Sequence, residues 1–245
     1  MTHTRWTEPV MTCVAPRIEE GYYKSVVETN RAHRLLTFMP TGFVSTYEYP
    51  LILFLHREGQ SENQIKKLMP HLSRRNYICT GLRGTVPMYR TDGKQGYGWD
   101  SSAGLSEELE DYTLAAIADS YDRLPVHADR IFLCGVGEGA TQAYRLAFSF
   151  PNKFAGVIAL NGKLPKNGPL WRLHQTRKMP VFIGHGLHNE QISYDLARQD
   201  HKLLYTAGMD VAFKSYPTDQ KLRPAMLRDL DRWIMNIITN DGCER

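Results

Sequence analysis

From residue 131 to 140 the chain reads Ile-Phe-Leu-Cys-Gly-Val-Gly-Glu-Gly-Ala, an apolar run that enters three alternating glycines and leaves into a helical pattern. A turn of this kind can cradle a phosphate on its backbone or hold a nucleophile at its apex. The dinucleotide spacing G-x-G-x-x-G fails, because the glycine after Gly135 and Gly137 is Gly139, one residue early. The nucleophile turn G-x-S-x-G fits better, with Gly137 standing where the serine belongs. No other segment supplies one. Gly59-Gln-Ser61 lacks the closing glycine, and Ser101-Ser102 lies in a loop without a strand before it.

Histidines are the other candidates. His56 and His185 each close an apolar run, at the end of a strand where α/β sheets place ligands, and His188 follows shortly after. With Glu58, Glu138, Glu190 or Asp219 they have the side-chain types for an acid–base pair or a metal. The competing reading makes His56 and His185 structural. No helical H-x-x-x-H spacing occurs, so neither a metal nor any other cofactor is expected. Cys13, Cys79, Cys134 and Cys243 form no C-x-x-C pair. Cys79 and Cys134 sit in apolar runs, where a reduced thiol behaves as a small hydrophobe.

These residues need a scaffold, and the pattern around them supplies one. Strand-like runs at 51–55, 77–81, 131–134, 155–160, 180–184 and 211–215 alternate with helical stretches at 61–74, 106–124, 138–150, 194–206 and 224–239. Strand and helix in alternation predict an α/β fold whose mainly parallel central sheet carries helices on both faces. Tyr22–Val27 and Arg34–Phe38, joined through residues 28–32, predict an N-terminal edge hairpin. A glycine-rich loop is expected from 82 to 104, and an irregular excursion from 163 to 178. Trp233 is placed on a final-helix stripe with Met226, Leu230 and Ile237, and Trp171 is assigned to packing. One domain is expected over 1–245, with residues 1–20 an irregular extension.

Four segments, in order, resemble the small carboxylesterase/phospholipase family of the α/β-hydrolase superfamily. Tyr49-Pro-Leu-Ile-Leu-Phe-Leu-His56 with Gly59 resembles the strand and HG-type oxyanion loop. Gly81-Leu-Arg-Gly84 through Tyr97-Gly-Trp99 resembles the loop after the following strand. Pro180–Gly186 with His188-Asn189 resembles the segment bearing the acid, and Tyr216-Pro-Thr-Asp-Gln220 the segment bearing the histidine. The resemblance spans roughly residues 34 to 240 and implies an α/β-hydrolase fold.

It also implies a lost catalytic triad. Gly137, Asn189 and Gln220 occupy the serine, aspartate and histidine positions. Glycine has no oxygen to attack with, and a glutamine amide does not take up the nucleophile's proton near neutral pH. Asparagine in place of the aspartate is by itself very damaging to such triads. The oxyanion positions fall to Glu138 and Glu58, whose carboxylates would raise the energy of a developing oxyanion unless Arg57 or solvent neutralises them. Tyr89, Tyr97 and Trp99 either line a retained apolar cleft or pack the loop. Three functions follow from the resemblance. The first is a non-catalytic protein binding a small apolar or acyl ligand, or a protein partner. The second is a rewired ester or thioester hydrolase, and the third a cofactor-free acid–base enzyme using the histidines. An open apolar pocket beside Gly137 points to a sensor or carrier, a filled one to a scaffold.

Bulk properties narrow the field. The net charge of +4 comes from scattered residues, apart from Lys163, Lys166, Arg172, Arg177 and Lys178, so no nucleic-acid partner is expected. No apolar run reaches membrane-span length, and the polar N-terminus lacks the apolar core of a secretory signal. Cytoplasmic residence is expected by default.

Overall fold

This computed structural model describes residues 19–100, 107–165 and 179–241. The readings at Cys13, Cys243, Ser101-Ser102, Trp171, most of the basic cluster and residues 1–18 fall outside them.

Eight strands form one sheet in the order β1-β2-β4-β3-β7-β8-β9-β10. The edge hairpin is β1 (Gly21–Glu28) and β2 (Ala32–Met39), antiparallel with Gly21 opposite Met39 and Glu28 opposite Ala32. Strand β2 also runs antiparallel to β4 (Ile78–Leu82). From β4 onward every pairing is parallel, through β3 (Tyr49–Leu55), β7 (Val126–Val136), β8 (Gly156–Leu160), β9 (Pro180–Gly186) and β10 (Asp210–Tyr216). The C-terminal ends of these six strands therefore share one edge, and the loops leaving it carry the candidate chemistry.

Alternation along the strands sorts the core into two layers. Leu51, Leu53 and Leu55 face α2 (Glu107–Arg123), α3 (Glu138–Ser149) and α4 (Tyr194–Thr206). Ile52 and Phe54 face α1 (Ile65–Leu72) and α5 (Pro224–Asp241) on the other side. All seven residues of β3 are buried. Each large apolar side chain among them contributes about 1.5–3 kcal/mol of burial, which holds the site-bearing edge rigid. Cys79 and Cys134 lie in the α1/α5 layer, fully buried, and burial raises both thiols.

Three features depart from expectation. Within the loop after β4 runs a short antiparallel ribbon, β5 (Val86–Tyr89) with β6 (Gln95–Gly98). Strand β7 starts five residues earlier than the apolar run, with a register irregularity opposite Tyr49 and Leu51. The buried line of α5 is Met226, Leu230, Ile234 and Ile238, and Trp233 is displaced to its flank, 5.7 Å from the Phe182 ring. A helical repeat of 3.6 residues carries the inward line from 230 to 234, not to 233.

Candidate functional site: a glycine elbow covered by an arginine

The turn between β7 and α3 is an elbow. Gly137 has φ 57° and ψ −119°, a conformation in which a residue with a Cβ is strained and glycine is not. A Cβ on Gly135 would overlap the carbonyl of Gly139, and one on Gly139 would overlap the carbonyl oxygen of Leu55. Gly135 is thus required for β7 and α3 to meet, and Gly139 for α3 to pack on the end of β3. The apex is held from behind, as Gly137 N–H donates to Leu160 O at 2.9 Å.

Above the apex stands Arg57. Its Cγ lies 3.3 Å from where a Cβ on residue 137 would be, so it fills the space a nucleophile's side chain would use. Its Nη2 donates to Gln220 Oε1 and, at 2.9 Å, to Gln191 Oε1. One guanidinium therefore joins the loops after β3, β9 and β10 over the elbow. Burial lowers the Arg57 pKa, against which Asp219 and then Glu58 act. No carboxylate pairs with it directly among the described residues.

Asn189 is buried, and its Oδ1 accepts from the N–H groups of Gln191 and Ile192 at 3.1 and 3.2 Å. Its amide oxygen is spent on its own loop. That loop and the one bearing Gln220 are tied together, since His188 N–H donates to Thr218 O at 2.9 Å. Gly137 and Gln220 are joined through Arg57, and Asn189 sits two residues from the Gln191 that Arg57 also holds.

In the loop expected to supply an oxyanion donor, the backbone groups on either side of Glu58 are engaged. Arg57 N–H donates to Gln64 Oε1 at 2.9 Å, and Gly59 N–H donates to Tyr97 O at 2.9 Å. Glu58 is exposed. Glu138 opens α3 and acts electrostatically on Arg145.

The histidines do not converge. His56 ends β3 and His185 lies in β9, three strand positions apart, or about 14 Å at the usual interstrand spacing. His56 is fully buried; its Nε2 accepts from Gly84 N–H at 2.8 Å, so the Nδ1 proton goes to Arg57 O at 2.8 Å. Both nitrogens are engaged. Burial lowers its pKa to about 4. His185 is buried with Nε2 bonded to Ile192 O at 2.9 Å, and burial lowers its pKa too. His188 is exposed. Among the described residues no group of three or more His, Cys, Asp or Glu could hold a metal ion.

Of the aromatic residues, Tyr97 and Trp99 make packing contacts, whereas Tyr89 does not. Trp99 is buried and its Nε1–H donates to His56 O at 2.8 Å. Tyr97 accepts from Arg83 and lies under its guanidinium at 4.5 Å. Tyr89 is 82% exposed. Beside Arg57 and Gln220 a cleft of about 400 Å³ opens on the α1/α5 side, but His56, Tyr97, Trp99, His185 and His188 are not in its wall.

Three contributors escaped the sequence reading. Gln64 and Gln191 bind Arg57, and neither belongs to a recognisable spacing. Asn161 has φ 51° and accepts the Gly186 N–H at 2.8 Å, bolting the end of β8 to the end of β9. The Asn-Gly pair after a strand was its one signal.

A mainly parallel eight-stranded sheet, helices on both faces and a strand–elbow–helix turn at its C-terminal edge define an α/β-hydrolase fold. The chain belongs to the phospholipase/carboxylesterase family, whose model matches residues 45–238. It is 29% identical over 140 residues to acyl-protein thioesterase 1 of Aspergillus fumigatus, covering 52% of this chain and 55% of the relative. It is 25% identical over 154 residues to acyl-protein thioesterase 1 of Debaryomyces hansenii, covering 61% and 63%. These alignments thus span little more than half of each relative. Among solved structures, Zea mays acyl-protein thioesterase 2 superposes with a TM-score of 0.62 at 20% identity, over 83% of this chain and 98% of that one. Arabidopsis thaliana SOBER1 gives 0.60 at 18% identity, over 78% and 99%. No helix among the described residues is long and apolar enough to cross a membrane.

Proposed function

We propose that this chain is a non-catalytic member of its family, in which the catalytic edge binds and does not cleave. One observation carries the reading: Arg57 stands over Gly137 and is hydrogen-bonded to Gln220, so a guanidinium occupies the place of the nucleophile–base pair. An ester or thioester reaching this edge meets a cation and two amides, with no hydroxyl to attack and no imidazole to accept its proton. The solved structures of Zea mays acyl-protein thioesterase 2 and Arabidopsis thaliana SOBER1 share the fold of this chain. In this reading, the chemistry is what differs.

The test is a p-nitrophenyl butyrate assay beside labelling with a fluorophosphonate probe. Turnover no faster than that of serum albumin and no covalent label are expected. Saturable turnover lost on replacing His56, His185 or His188 would instead establish a rewired enzyme.

A further inference from the structure

The cleft beside Arg57 has a lining unlike that of an ester pocket. Four of its side chains are basic or can become so: Arg57, Lys67, His71 and Lys221. Three carry neutral amides, Gln60, Gln64 and Gln220, and none is acidic. Gln64, Lys67, Leu68 and His71 fall at i, i+3, i+4 and i+7, so one stripe of α1 and the residue preceding it forms a wall. Lys221 pairs with Asp219 at 3.2 Å, whereas Arg57, Lys67 and His71 have no ion pair among the described residues. The remaining wall is apolar, from Leu68, Val136, Leu222 and Leu227.

Two features give this arrangement direction. Arg57 is half-buried and bonded only to amide oxygens through Nη2, so its charge is desolvated without a counter-ion in contact. A bound anion would relieve that cost, and hydrogen bonds to an ionised partner are about twice as strong as neutral ones. The cleft volume of about 400 Å³ lies near the small end of ligand sites. Apolar side chains next to the cations give a short hydrocarbon tail somewhere to go.

We infer that this cleft binds a small amphiphile with one anionic head, a carboxylate or a phosphate monoester, held by Arg57 and Lys67 with its short aliphatic tail against Leu68, Leu222 and Leu227. The inference rests on the reading above in one respect, that the ligand is held and not cleaved. It also revises the expected occupant of this edge: the head is charged where an ester's is neutral.

Isothermal titration of the whole chain with sodium octanoate and with octyl phosphate tests it, with octanol and octylamine as neutral and cationic controls. One molecule of at least one anion should bind per chain, about tenfold or more tighter than either control, and more weakly in roughly 1 M salt. Lys67→Glu should weaken the anion about tenfold or more, and because Lys67 is exposed on α1 the fold is not at stake. Arg57→Gln should do the same. Saturation by octanoate alone assigns a carboxylate head, and by octyl phosphate alone a phosphate. Failure of both anions to saturate, octanol binding as tightly as they do, or unchanged affinity in Lys67→Glu would each overturn the inference. Ester turnover by the wild-type chain would defeat the non-catalytic reading but leave these affinities standing.

Discussion

Arg57 and Gly137 meet at the C-terminal edge of the sheet, with the arginine Cγ 3.3 Å from the point at which a Cβ on residue 137 would stand. The missing side chain at residue 137 and the long one above it are thus a single packing arrangement. Glycine makes room, and arginine uses it.

Gly137→Ser should therefore be destabilising by about 1–3 kcal/mol. The serine would be strained at φ 57° and would also press on Arg57. Urea melts measure the effect. The double variant with Arg57→Ala should recover only the steric part, since the backbone strain stays. A serine variant as stable as the wild type would show that residue 137 does not occupy this elbow conformation.

Introducing serine, aspartate and histidine at the three triad-equivalent positions should not confer hydrolysis. Gly137→Ser, Asn189→Asp and Gln220→His together still leave Arg57 over the apex and its N–H donated to Gln64. Weak aryl-ester turnover is expected only when Arg57→Gly is added. Activity in the triple variant with Arg57 intact would show that the arginine moves aside easily. Asn189→Asp alone should cost less than Gly137→Ser, because a carboxylate oxygen can accept the same two N–H groups and no backbone strain arises.

The flanking glycines behave differently. Alanine at 135 or 139 would overlap backbone carbonyls, which cannot swing away as a side chain can. Each substitution should cost about 3 kcal/mol or more, at the upper end of overpacking effects. Thermal melts of Gly135→Ala and Gly139→Ala should show large losses or no folded protein. Mild effects would mean that α3 does not meet β7 at Gly135 or the end of β3 at Gly139.

Acid should destabilise the chain through His56. Burial holds its folded pKa near 4, whereas an unfolded histidine titrates at about 6.5. Between those values the unfolded chain binds a proton that the folded chain refuses, so stability is full above about pH 6.5 and falls as the pH drops. At full extent the gap is worth about 3 kcal/mol. His33 and His185, also lowered by burial, act in the same direction. His56→Gln, though less stable near neutrality, should lose less stability between about pH 6.5 and 4. An unchanged slope would show that His56 is protonated in the folded chain.

Where apolar pattern alone decides structure, the sequence was readable. Leu51–Leu55, Ala155–Leu160 and the elbow glycines announce buried strands and a tight turn, and the structure has them. The ribbon of β5 and β6 was not readable. Val86-Pro-Met-Tyr and Gln95-Gly-Tyr-Gly have no alternation, and their pairing is fixed by bonds to a distant loop, Gly59 N–H to Tyr97 O and Tyr97 N–H to Gln60 O. The role of Arg57 was hidden for the same reason. Its identity is local, but its partner Gln220 is 163 residues away, and no periodicity links them. The histidines at 56, 185 and 188 resemble a cluster in sequence because it gives the strand that His56 or His185 closes but not that strand's place in the sheet.

The guanidinium that reaches from the β3–α1 loop to Gln191 and Gln220 also bears on motion. Loops that admit a substrate belong to the least stable part of a fold, opening and closing independently of its core. Here three of them are riveted at one point, so none can swing out without releasing the others. Their amides should exchange with solvent together, as one cooperative unit, and Arg57→Ala should release the β3–α1 loop from the other two, which His188 N–H to Thr218 O still joins.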